Sequence, residues 1–142
     1  MPRALPCRLA LLALVVGFAV PAQAADRCDT RQIETLTPRL PAAPVLVHAG
    51  KALQIPVSVV RTGGSPAFDV EVFVGLTGKG WGAYNQQVSG SDGSATAKVD
   101  VPAGVAGAAT LDVEVVRVLI GAPCLVVEEH GRVTRPWGRA AR

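Results

Sequence analysis

Phe68-Asp69-Val70-Glu71-Val72-Phe73-Val74-Gly75-Leu76 is the stretch that decides the fold. Its apolar residues recur at every second position. Phe68, Val70, Val72, Val74 and Leu76 are therefore expected on one buried face, with Asp69, Glu71 and Gly75 on the other and Phe73 as the one apolar residue outside. This is the period of a strand with one face in a core. The alternation repeats on either side. Leu53, Ile55, Val57 and Val59 are expected inward against Gln54, Pro56 and Ser58, and Pro56, which has no N–H for a ladder, places that strand at an edge or an interruption. Ala95, Ala97, Val99 and Val101 alternate with Thr96, Lys98 and Asp100, and Leu111, Val113 and Val115 alternate with Asp112 and Glu114. At Val115-Val116 the phase shifts to Val116, Val118 and Ile120, for which a β-bulge is the expected cause. Val45 to His48 and Cys124 to Glu129 complete the set.

Turn signals separate these runs at Ala49-Gly50, Thr62 to Pro66, Ser89 to Gly93, Pro102 to Gly104 and Gly121 to Pro123. Strands at this spacing predict an all-β fold, a single antiparallel immunoglobulin-like β-sandwich of about six to eight strands over residues 45–130. Residues 25–44 are expected as an extended lead-in, with one or two helical turns from Asp29 to Leu36 capped by Asp29 or Thr30 and ended by Pro38 and Pro41. Residues 131–142 are expected as a basic tail, since Pro136 and Gly138 argue against a continuing strand.

Residues 1–24 have the layout of a secretory signal peptide. Arg3 and Arg8 precede the apolar run Leu9 to Val20, and Ala22-Gln23-Ala24 is a small-x-small cleavage site. An apolar run of about 12 residues is short of the roughly 20 that a spanning helix needs, so cleavage near Ala24, no transmembrane segment in the mature form, and a periplasmic or extracellular destination are expected. Cleavage leaves 118 residues, enough for one domain, with 12 basic against 11 acidic residues and a net charge of +1. That balance, the destination and an aromatic content of only 4% exclude nucleic acid as a partner class.

Cys7 leaves with the signal, and the remaining pair, Cys28 and Cys124, is expected to form a disulfide in an oxidising compartment. It would close a loop of about 97 residues and contribute about 4–5 kcal/mol in the chain-entropy picture. Cys28, Cys124, His48 and His130 lack the close spacing of a metal site, so no metal and no cofactor are assigned.

Thr62-Gly63-Gly64-Ser65-Pro66-Ala67-Phe68-Asp69-Val70-Glu71-Val72 resembles the turn and a-x-D-V-x-V strand of bacterial CARDB-type adhesion modules. Ser91-Asp92-Gly93-Ser94-Ala95-Thr96-Ala97 is similar to the D-x-G-x-A-x-A hairpin of invasin-type and macroglobulin-type immunoglobulin-like domains. The two segments fall within about residues 50–118. The resemblance implies a β-sandwich that acts by contact, and it implies no catalytic residues.

The residues themselves agree on that last point. His48 and His130 sit at strand ends and are expected to face solvent. The serines cluster in the 89–94 turn without a nucleophile elbow, and Glu128-Glu129 would point to opposite faces of a strand. Asp92-Gly93 reads as a hairpin turn. No catalytic residue is assigned, and an enzyme is not expected.

Gly78 to Gln87 reads as a polar, glycine-rich loop that displays Trp81, Tyr84, Asn85 and Gln86, a composition suited to binding. Trp81 has a second reading, as a plug at one end of a core poor in aromatics. Arg132, Arg135, Arg139 and Arg142 around Trp137 form either a second contact site for a partner or anionic surface, or a solvated, frayed end. The expected function is non-enzymatic contact with an envelope or surface protein. The alternative is a small-ligand carrier or an enzyme inhibitor that binds through the loops at a sandwich end.

Overall fold

The computed structural model describes residues 29–121 and 125–142. The signal segment, Cys28 and Cys124 lie outside the described residues. Among those described there is no helix, and nine strands form two sheets: β1 (Asp29–Thr35), β2 (Thr37–Arg39), β3 (Leu46–His48), β4 (Ala52–Val60), β5 (Glu71–Gly78), β6 (Trp81–Val88), β7 (Ser94–Asp100), β8 (Gly107–Gly121) and β9 (Leu125–Ala141). The larger sheet runs β1-β9-β8-β5-β6, with β3 also on β9, and the smaller runs β2-β4-β7.

The inward sets of the alternating strands meet between the sheets. Ile55, Val57, Val59, Ala97 and Val99 from the smaller sheet pack in one core with Val72, Val74, Leu76, Leu111, Val113 and Val115 from the larger. Each of the valine, isoleucine and leucine side chains contributes about 1.5–3 kcal/mol by leaving water. Pro56 behaves as its chemistry requires. β2 reaches β4 only at Ser58, Val59 and Val60, so Pro56 pairs with β7 alone.

Phe68 departs from its expected place and is exposed. The strand begins only at Glu71, because the chain turns at Asp69, whose φ is +57°. Buried Ser89 holds that turn: its Oγ donates to the Ala67 carbonyl at 2.7 Å and accepts from the Val70 N–H at 3.0 Å.

The lead-in is not helical. β1 pairs in parallel with β9, and β3 pairs in parallel with the far end of β9, so the larger sheet is mixed and not wholly antiparallel. Between them the chain crosses to the other layer. Buried Leu36 marks the crossing, with its N–H bonded to the His130 carbonyl at 3.0 Å, and β2 then joins β4. The prolines that exclude a helix are compatible with short extended pieces.

The segment 131–142 also departs from expectation, since all of it but Arg142 belongs to β9. Pro136 pairs with Thr110 and Arg139 with Ala108, so β9 carries one extra residue there. That is a bulge, with Gly138 at φ +73°, and it turns Trp137 into the core, where it is 2% exposed. The bulge expected at Val115-Val116 is absent. β8 and β9 stay in unbroken register from Leu111↔Arg135 to Gly121↔Leu125. The phase change in sequence marks the point where β8 leaves the core. Val116 is half-buried, and Val118 and Leu119 are exposed.

Candidate functional site

The stretch read as a binding loop is a strand. Residues 81–88 pair along the whole of β5, from Gly78↔Trp81 to Glu71↔Val88, and only Lys79-Gly80 turn between them. Pleating therefore separates the residues expected to act together. Trp81 and Asn85 face the inner side of the sheet, and Tyr84 and Gln86 face outward. Asn85 accepts from Gln87 Nε2 at 3.0 Å, as i, i+2 neighbours on one face can.

Trp81 packs against the core, and its indole lies over Gly78, where a Cβ would overlap it. It is half-buried. Trp81→Ala is expected to cost roughly 2 kcal/mol, below the 3–5 kcal/mol of a fully buried aromatic. Thermal unfolding checks this, and an unchanged midpoint would return Trp81 to the surface.

The outward side of the larger sheet is the more coherent surface. Cross-strand register brings together Glu71, Phe73 and Gly75 of β5, Tyr84, Gln86 and Val88 of β6, and Asp112, Glu114 and Val116 of β8, and Val118 follows two residues further along the same face of β8. Tyr84 is 74% exposed and leans over Gly75 and Gly82, which have no side chains to lift it. Phe73, Val88 and Val118 are exposed on the same face. Phe73, Gly75, Tyr84, Gln86, Asp112 and Glu114 line an open depression of about 450 Å³.

β9 supplies the cations beside it. Arg132 donates to both oxygens of Asp112, at 2.9 and 2.7 Å, and Thr134 adds a hydroxyl bond at 2.9 Å. The Arg132 hydrogen bonds hold the Asp112 carboxyl below its usual range against the opposing effect of burial, and the same bonds raise Arg132. His130 Nε2 lies 3.1 Å from Glu114 Oε1. His48 is exposed at the end of β3, opposite Ala141.

The basic end thus does not lie on one surface. Arg132 is on the outward face in an ion pair, Arg135 pairs with Leu111 and is half-buried, and Trp137 is inside. The acidic partner of Arg132 was 20 positions away in sequence, and only the hairpin register reveals it.

Asp92 acts as a turn residue. Its Oδ1 accepts from the Ser94 N–H and hydroxyl, which lowers its pKa, and Gly93 has φ +76°. Sequence alone does not mark Phe73, Val88 and Val118 as contact residues. Their signal was apolar residues on the polar phase of a strand, as Phe73 showed. The chain matches no family model, and comparison with curated proteins finds no match.

Proposed function

We propose that this is an exported, non-enzymatic immunoglobulin-like β-sandwich protein that works by protein contact in the cell envelope, in the periplasm or outside the cell. Strand order supports the architecture. Counting from β2 and setting β3 aside, the second and fifth strands, β4 and β7, pair in one sheet. The third, sixth and seventh, β5, β8 and β9, share the other, as in immunoglobulin-like folds, with β6 added beside β5. The likeness to CARDB-type and invasin- or macroglobulin-type modules belongs with this architectural reading. The signal-peptide layout of residues 1–24 supports export.

The observation that carries the contact reading is the outward face. Of the eight exposed large apolar residues among those described, Phe73, Tyr84, Val88 and Val118 share it. Grouped exposed apolar side chains with charges beside them are a feature of interaction surfaces. Affinity capture from detergent-solubilised envelope tests this, with Phe73→Asp and Val118→Asp run in parallel. One reproducible protein, lost in both variants, is the expected result; capture indifferent to both variants would remove this face from the function.

A second reading rests on the depression over Tyr84. An aromatic face beside Gln86, Asp112 and Glu114 suits a small polar ligand or the side chain of an inhibited enzyme. It takes precedence if no protein is captured and a small molecule stabilises the wild type but not Tyr84→Ala.

The disulfide belongs to the same proposal. The parallel register of β1 on β9 begins Asp29↔Leu125, and each of these residues directly follows a cysteine in sequence. The chain purified from the oxidising compartment is expected to take up no alkylating reagent until reduced, and two equivalents afterwards, by intact mass. Two equivalents without reduction would remove the bond.

A further inference from the structure

We propose that β6 is a self-association edge, through which two copies of the chain join antiparallel, β6 to β6, into one continuous sheet. Sheet edges present unpaired N–H and C=O groups, and monomeric proteins blunt them with charge, proline or shortness. The other edges here follow that rule. β1 contains Asp29, Arg31 and Glu34; β2 is three residues with Pro38 and Arg39; β3 is three residues; β7 contains Lys98 and Asp100. β6 is different. Trp81-Gly82-Ala83-Tyr84-Asn85-Gln86-Gln87-Val88 is eight residues long, with no charge and no proline, and pairs with β5 in register throughout.

The occupant is argued from the same residues. An isologous pair sets a strand against its own sequence, so any charge near the axis would meet its like, and β6 has none. A two-fold axis normal to the sheet keeps outward residues outward only if positions of equal parity pair. With the axis at Tyr84, each Tyr84 faces the other copy's Tyr84, Ala83 faces Asn85, and Gly82 faces Gln86. Gly82 has no side chain of its own, so the facing amide would meet the Tyr84 ring that lies over it. Tyr84, 74% exposed in one copy, gains an aromatic cross-strand neighbour. The edge lies beside the outward face, so the depressions of the two copies would adjoin. This inference goes beyond the contact reading and stands if no envelope partner is found.

Sedimentation velocity tests it, using the chain purified after expression of all 142 residues, across micromolar concentrations. The wild type is expected to pass from one to two copies. Tyr84→Lys and Gln86→Lys, which set like charge near the axis, are expected to weaken the dimer at least tenfold. Thr96→Lys, on exposed β7, should leave it unchanged. Gln86→Lys keeps the test sound if Tyr84→Lys fails to fold, since Gln86 is exposed and covers no glycine. Amide exchange within 82–87 should slow as concentration rises. A wild type that stays a monomer overturns the inference, as does a dimer that survives both β6 lysines or one that Thr96→Lys disrupts equally.

Discussion

Gly131→Ala is expected to remove about 3 kcal/mol or more of unfolding free energy. Gly131 is buried in β9 under the point where the chain crosses from the larger sheet to the smaller. An added Cβ would overlap the Leu36 carbonyl oxygen, with its carbon and a Val115 methyl also close. Overpacking of a side chain costs typically 1–3 kcal/mol because rotamers can move aside. Here the obstacle is backbone, pinned by the Leu36 N–H bond to the His130 carbonyl and by the buried Leu36 side chain. Relief requires the crossing itself to lift, which would strain the seating of β1 and β2 together. Urea unfolding measures the loss. Gly90→Ala is the control, since its Cβ would meet only ordinary contacts beyond 3.4 Å at a backbone angle open to any residue. A Gly131→Ala loss no larger than that of Gly90→Ala would mean that the crossing does not press on β9.

That crossing also shows what a sequence reading can reach. Where a strand has one face in the core and one in water, its side chains alternate, and Ile55 to Val59, Val70 to Leu76, Ala97 to Val101 and Leu111 to Val115 are legible for that reason. β6 lacks the pattern because its inner face is only partly covered, so Trp81, Asn85 and Gln87 are half-buried and Gly82 leaves a gap. Composition then imitates a loop. The end of β9 is hidden for a different reason. Pro136 and Gly138 normally end strands, yet a bulge absorbs both and directs Trp137 inward, which no local rule foretells. The parallel places of β1 and β3 are long-range facts, decided by what β9 offers at its two ends. The site followed the same division. Tyr84 stands out by its type, whereas its neighbours Phe73, Asp112 and Glu114 are defined only by the β6-β5-β8 register.

Arg61→Met is expected to cost about 3 kcal/mol, through the carboxylate it leaves behind. Glu129 is 4% exposed, on the inner side of β9, and its Oε1 accepts from Arg61 Nη1 at 2.7 Å. Arg117 pairs with Glu129 across β8, and neither Glu129 Oε2 nor Arg117 Nε has a hydrogen-bond partner among the described residues. Removing one member of a buried ion pair strands the other, at a cost of about 3–5 kcal/mol, and the 19% exposure of Arg61 places this case at the lower end. The pair itself need not stabilise. Replacing both ions by apolar groups is often close to neutral, so Arg61→Met with Glu129→Leu should recover most of the loss, to within about 1 kcal/mol of the wild type. Denaturant midpoints for the two single variants and the double complete the cycle. A double variant as unstable as Arg61→Met alone would show that Arg61 acts through packing and not through Glu129. If the cycle closes as expected, this charged group marks the boundary of the core. Val115 lies on the core side and is fully buried, while Val118 and Leu119, on the far side, are exposed. Beyond that boundary no second layer among the described residues covers β8 at Leu119. The exposure of Leu119, which is in phase with the inward residues Val113 and Val115, follows from that, whereas Val118 is in phase with the outward set and is not accounted for in this way. The contact reading is therefore tested most sharply at Phe73, whose strand neighbours Val72 and Val74 are fully buried on the inner face, so that its outward exposure is not explained by missing coverage.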